Sequence, residues 1–137
     1  MRVEWIKVNA VQTEITLDMA MLSTQKGREI LAKFFKAAGE PTRLSLLSFL
    51  AGGEHSASEC VAHVGLAQGR VSSHLSCLVS CGLLEVVRKG RFAFYEVTDA
   101  RVVELIRLGT TIALDNVESV ANCAIVGEPM NLSELGI

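Results

Sequence analysis

The sequence predicts a mostly α-helical domain carrying one small β-hairpin, and three observations lead there. Apolar residues recur at helical spacing through residues 25–81 and again from about residue 101 to residue 119. Glycine or proline marks each change of direction, at Gly39-Glu40-Pro41, Gly52-Gly53, Gly65 and Gly82. Two β-rich runs, Leu83–Arg88 and Phe92–Val97, flank the turn-forming Lys89-Gly90-Arg91.

Taken in order, residues 1–24 read as an extension, either an arm or a dimer-contact helix, with Trp5, Ile6, Ile15 and Leu17 at no settled period. Over Gln25–Gly39 a first helix is expected, since Ile30, Leu31, Phe34 and Phe35 share a face and Gly39 supplies a stop. Pro41 opens the second, because a fixed φ and a missing N–H cost nothing in a first turn. Leu44, Leu46, Leu47, Phe49 and Leu50 line its apolar side. Ser56 or Ser58 caps a short third helix bearing Cys60, Val61 and Val64, which Gly65 ends. A tight turn leads to a fourth helix from about Gln68 to Cys81, stopped by Gly82. Helix, glycine-containing turn, helix and then a hairpin is the order of a winged helix-turn-helix. A last amphipathic helix, about Arg101 to Ser119, carries Val102, Val103, Leu105, Ile106, Ile112 and Leu114. The expected organisation is an extension over 1–24, a winged-helix DNA-binding and dimerisation domain over 25–120, and a tail over 121–137.

With 137 residues, half of them apolar and a fifth charged, the chain is long enough to bury one core and too apolar to be disordered throughout. A net charge of −2 excludes a uniformly cationic coat. Locally the balance differs: Arg43, Arg70, Arg88, Lys89 and Arg91 make residues 41–98 more basic than residues 99–137, which Asp99, Glu104, Asp115, Glu118, Glu128 and Glu134 make acidic. No window reaches the ~18–20 uninterrupted apolar residues of a membrane span, and the N-terminus lacks a secretory pattern. A cytoplasmic protein with no membrane partner is expected. There, Cys60, Cys77, Cys81 and Cys123 serve as thiols or metal ligands rather than disulfides. No phosphate-cradling Gly-rich loop, nucleophile elbow, HExxH or paired carboxylates on a helix face occur, so an enzyme is not expected.

The candidate DNA-contacting residues follow from the helix-turn-helix. Gln68, Arg70, Ser72, Ser73 and His74 fall on the N-terminal half of the fourth helix, the part that meets bases and phosphates. Lys89 and Arg91, at the hairpin tip, suit phosphate or the minor groove. A two-fold dimer pairing the first and last helices would set two such helices in successive major grooves and read an inverted repeat. His55 and His63 read as surface or capping residues, and Cys60 as a core thiol.

Several linked motifs resemble the ArsR/SmtB family of metal-responsive repressors. Ala38-Gly39-Glu40-Pro41-Thr42-Arg43-Leu44 resembles its opening signature, Val71-Ser72-Ser73-His74-Leu75 with Cys81-Gly82-Leu83-Leu84 its recognition helix and the start of its wing, and Arg88-Lys89-Gly90-Arg91 through Phe94-Tyr95-Glu96-Val97 the wing itself. The stretch from Ser72 to Gly82 is similar to the branch that senses cadmium and lead. That likeness implies three metal-binding thiolates, at Cys77, Cys81 and, through a looser tail alignment, Cys123. Ligands used by other branches are missing: Ser56 and Ser58 replace a Cys-x-Cys pair, and no histidine lies between Arg101 and Ser119. Independently, residues four apart on a helix lie ~6 Å along its axis on one face, where two thiolates can share one soft ion, although buried free cysteines also pack as small apolar residues.

The resemblance implies a homodimeric repressor of double-stranded operator DNA, released by a soft divalent metal ion: cadmium or lead foremost, mercury next, zinc less so. The alternative on the same scaffold is a thiol redox switch in which Cys77 and Cys81 oxidise.

Overall fold

The computed structural model of the protein describes residues 19–136. Residues 1–18, on which most of the arm expectation rests, lie outside the described residues. Just ahead of the first helix the chain hooks back on itself. The Leu22 N–H donates to the Met19 carbonyl (3.0 Å), and the Arg28 guanidinium donates to the Leu22 carbonyl (2.9 Å). Thr24 caps helix α1 (Gln25–Ala38) by accepting from the Gly27 N–H. The hook crosses α1 so closely that a Cβ on Gly27 would lie 1.8 Å from the Met21 carbonyl oxygen. Because the obstacle is backbone, Gly27→Ala is expected to unseat residues 19–24 at a cost of about 1–3 kcal/mol. Thermal unfolding and faster proteolysis ahead of Gln25 would check it.

Helix α2 (Pro41–Ala51) begins with Pro41 and is capped by Glu40, whose Oε2 accepts from the Arg43 N–H at 2.8 Å. Strand β1 (His55–Ser56) leads into α3 (Ala57–Val64), where Ser56 and Glu59 form a reciprocal capping box. Gly65 ends α3 at φ 73°, a left-handed position that suits glycine. Helix α4 (Gln68–Ser80) follows, then the hairpin strands β2 (Glu85–Lys89) and β3 (Phe92–Glu96). Gly90, at φ 63°, is the first of two turn residues, the position that a hairpin of the II′ kind reserves for glycine. Asp99 caps α5 (Ala100–Asp115), which is succeeded by α6 (Val117–Ala121) and a 3-10 turn at Leu132–Leu135.

Leu46, Leu47 and Leu50 of α2, Cys60 of α3, and Val71, Leu75 and Leu78 of α4 are buried together and close on Leu83, Val97 and Val102. Fully burying a leucine side chain stabilises a fold by ~1.5–3 kcal/mol, so this seam fixes the angle between α2 and α4. The winged helix-turn-helix architecture is as expected, with two differences of detail. The hairpin belongs to a three-stranded antiparallel sheet, in the order β1-β3-β2, because His55 and Ser56 pair with Tyr95 and Phe94. A two-residue strand takes its hydrogen bonds from its partner and leaves no periodicity of its own. The last helix is also not continuous to Ser119. It breaks at Asn116 (φ −123°, ψ 25°), whose side-chain amide donates to the Ile112 carbonyl at 2.8 Å. Among the described residues no helix is long and apolar enough to cross a membrane.

Candidate functional site

Helix α4 buries Val71, Leu75 and Leu78 and turns its other side outward, so Gln68, Arg70, Ser72, Ser73, Ser76 and Ser80 are exposed. The Ser73 hydroxyl donates to the Gly69 carbonyl at 3.0 Å, which steadies its rotamer and leaves its lone pairs outward. His74 is half-buried, with Nδ1 3.1 Å from an Arg43 Nη and 3.8 Å from Glu40 Oε2. Arginine only donates, so Nδ1 accepts and the ring proton sits on Nε2. The same Arg43 fork donates to the Lys36 carbonyl at 3.1 Å and to the Ala37 carbonyl. Arg43 thus ties the C-terminal end of α1 to α4. Burial raises the Glu40 carboxyl, but the backbone N–H groups of Arg43 and Thr42 outweigh it and hold its pKa below the ordinary value. Nothing in the pattern around Arg43 beyond a nearby proline announces this clamp, because its partners lie on two other elements, α1 and α4.

At the hairpin, Lys89 is the last residue of β2 rather than the tip of a loop. Its Nζ lies 2.6 Å from Glu54 Oε1 and 4.8 Å from the centre of the Phe94 ring. Arg91 occupies the turn, its guanidinium 5.8 Å from the Phe92 ring. His55 and His63 serve packing: their rings stack on the two sides of Phe49, with centroids 3.9 and 4.1 Å away, and His55 Nδ1 meets Glu59 Oε2 at 2.8 Å.

The cysteines separate into three environments. Cys77 is half-buried against the core, and Cys81 is exposed one helical turn on, its N–H donating to the Cys77 carbonyl at 3.1 Å. Cys123 is half-buried just beyond α6. Among the described residues no three His, Cys, Asp or Glu side chains gather where they could hold a metal ion. Two candidate sulfurs therefore share a turn, and the third is not brought to them within one chain. Cys60 is fully buried, and burial, with the nearby charge of Glu59, pushes its pKa up to about 11. It stays a thiol at neutral pH and a poor ligand or nucleophile. Cys60→Ser, which places a hydroxyl in an apolar seam, is expected to cost about 1–3 kcal/mol in thermal unfolding while leaving any response to metal intact.

Comparison with known proteins bears on this geometry. Residues 40–86, from the α2 cap into β2, match the bacterial regulatory protein, arsR family. A probable mercury resistance operon repressor of Streptomyces lividans is 47% identical over 98 residues, covering 71% of this chain and 78% of that protein. The HTH-type transcriptional regulator CmtR of Mycobacterium tuberculosis is 32% identical over 117 residues, covering 82% of this chain and 98% of CmtR. The chain belongs to the ArsR family. Among solved structures, the homodimeric winged helix-turn-helix DNA-binding domain Mb0332 of Mycobacterium bovis superposes with a TM-score of 0.61 at 28% identity, covering 66% of this chain and 84% of that one. The transcriptional repressor BigR of Xylella fastidiosa does so at 0.56 and 31%, covering 64% and 90%. This ArsR-family chain is a transcriptional repressor by kinship, and its relatives are regulators rather than enzymes.

Proposed function

We propose that this ArsR-family repressor acts in the cytoplasm as a homodimer on double-stranded operator DNA carrying an inverted repeat, and leaves it on capturing a soft divalent metal ion through Cys77, Cys81 and Cys123. The observation that carries the reading is the placement of Cys77 on α4 and Cys81 at its C-cap, on the helix whose Gln68, Arg70, Ser72 and Ser73 are exposed. His74, with Nδ1 taken by Arg43, offers DNA only Nε2, and Arg91 contributes from the wing, whereas Lys89, a candidate by position, is held in its ion pair with Glu54.

The dimer reading is supported by apolar side chains that one chain leaves outside: Ile30 and Phe35 on α1 are 53% and 50% exposed, and Leu108 and Ile112 on α5 are 44% and 62% exposed. Between these helices runs a groove of about 310 Å³ lined by Phe35, Leu44, Leu105 and Ile106. The self-pairing of these faces would set two α4 helices side by side, as the homodimeric Mycobacterium bovis domain suggests by likeness.

For the metal, thiolate chemistry favours soft ions: cadmium and lead foremost, then mercury, which kinship with a probable mercury resistance operon repressor supports, with zinc a weaker candidate. Because Cys123 lies apart from the α4 pair, completing a three-sulfur site requires the tail, or the same residue of a second copy, to approach α4. That approach is the work that opposes DNA. A coupling of ~1–3 kcal/mol between metal and DNA is enough for 5–150-fold weaker binding, and it acts equally in the reverse direction.

The test is to titrate cadmium, lead and mercury into the metal-free dimer while recording ultraviolet absorption, then to repeat the titration on the promoter complex. Sulfur-to-metal charge transfer accompanied by DNA release is expected. Metal uptake without any loss of DNA affinity would overturn the reading, and release by peroxide alone would favour the thiol redox switch.

A further inference from the structure

We propose that the cleft between the second half of α4 and the hairpin seats a backbone phosphate of duplex DNA, with Arg88 rather than Lys89 as its cation; this rests on the DNA-binding reading above. The cleft is about 170 Å³ and is lined by Ser76, Val79, Ser80, Val86, Arg88 and Tyr95. Its polar groups are two hydroxyls from α4, the phenol of β3 and the guanidinium of β2. Among the described residues none of these four side chains has a hydrogen-bond or ion-pair partner. Three hydroxyls and a planar cation fork are a donor set suited to the oxygens of a phosphate diester.

The strand register explains why neighbouring cations differ. Val86 stands opposite Tyr95 and Arg88 opposite Ala93, so these side chains leave one face of the sheet, the face that closes the cleft with α4. Val87 and Lys89 alternate to the other face, as do Phe92 and Phe94 opposite them. There Lys89 is neutralised by Glu54 at 2.6 Å and lies over the Phe94 ring. A phosphate arriving along α4 meets Arg88 first. Ser76 and Ser80 continue the exposed flank of Ser72 and Ser73, so the cleft prolongs the surface assigned to DNA instead of opening elsewhere.

The experiment measures the affinity of wild type, Arg88→Met, Arg88→Lys and Lys89→Met for a fluorescent promoter duplex and for a random duplex across roughly 50–200 mM salt. Arg88→Met is expected to weaken both duplexes alike, by about tenfold per protomer, and to flatten the plot of log affinity against log salt by roughly 0.9 per protomer. Arg88→Lys should restore the slope but not the full affinity, because a point charge cannot replace the fork. Lys89→Met should leave the slope near wild type, and Tyr95→Phe should weaken both duplexes without changing it. An unchanged slope in Arg88→Met, or its loss in Lys89→Met instead, overturns the assignment. A wild-type protein that binds neither duplex fails differently: it removes the DNA-binding reading itself. Arg88 is exposed, so unchanged thermal unfolding of the variants will separate these outcomes from misfolding.

Discussion

Cys77→Ser is expected to hold its operator with wild-type affinity and to keep holding it when cadmium, lead or mercury is added. Where the wild-type dimer loses 5–150-fold in DNA affinity, the variant should lose none. A hydroxyl matches a thiol closely in size, so the half-buried position beside the core tolerates the change. The same hydroxyl is a weak ligand for soft metals, which leaves the ion with too few sulfurs to hold. Cys81→Ser should behave alike, at an exposed position where folding is not at risk. Binding releases thiol protons, so wild-type metal affinity should rise with pH, and the variants should lose that dependence. Gel-shift titration with and without metal decides the matter. A full metal response in Cys77→Ser would remove α4 from the sensing mechanism.

Arg43→Met is expected to cause the largest loss of stability among changes outside the leucine seam, about 2–4 kcal/mol, or roughly 10 °C in melting temperature. One side chain here serves the Lys36 and Ala37 carbonyls and His74 Nδ1 together. Methionine fills the space but donates nothing, so two helix-terminal carbonyls and an imidazole lose their partner at once. Operator affinity should fall further than stability accounts for, because His74 belongs to the helix proposed to meet DNA and its setting against α1 is no longer fixed. Arg43→Lys should recover part of the stability and little of the affinity, since an ammonium cannot span three acceptors in a fork. Melting curves and duplex titrations on the same samples separate the two effects. A loss below about 1 kcal/mol would mean that the clamp contributes little.

The local chemistry of the chain was readable wherever a residue decides its own backbone. Pro41 at a first turn, the Ser56–Glu59 capping box and the left-handed Gly65 and Gly82 fall where side-chain chemistry demands them, and the four helices around them follow. What depends on a distant partner was not readable. Strand β1 exists because β3 offers it hydrogen bonds, Arg43 acquires its role from α1 and α4, and Glu54 meets Lys89 across 35 residues of sequence. The candidate site divides along the same line. Spacing alone placed Cys77 and Cys81 on one helical turn, whereas the position of Cys123 depends on a helix break at Asn116, where the side chain bonds back to the Ile112 carbonyl and which the apolar spacing around it does not announce. Arg88 was within reach of pattern reasoning, because strand alternation separates it from Lys89 once the hairpin register is known.

On the function proposed, the interruption at Asn116 separates two mechanical duties along the C-terminal stretch. Upstream, α5 carries the apolar stripe assigned to self-association; downstream, Cys123 rides on the short segment that follows. Had the helix run on as a single rod, re-aiming that thiol would have required prying open the subunit seam. With the helix already interrupted there, the proposed approach of that thiol to α4 would draw on torsions beyond the break and leave the seam shut, so sensing and assembly need not compete.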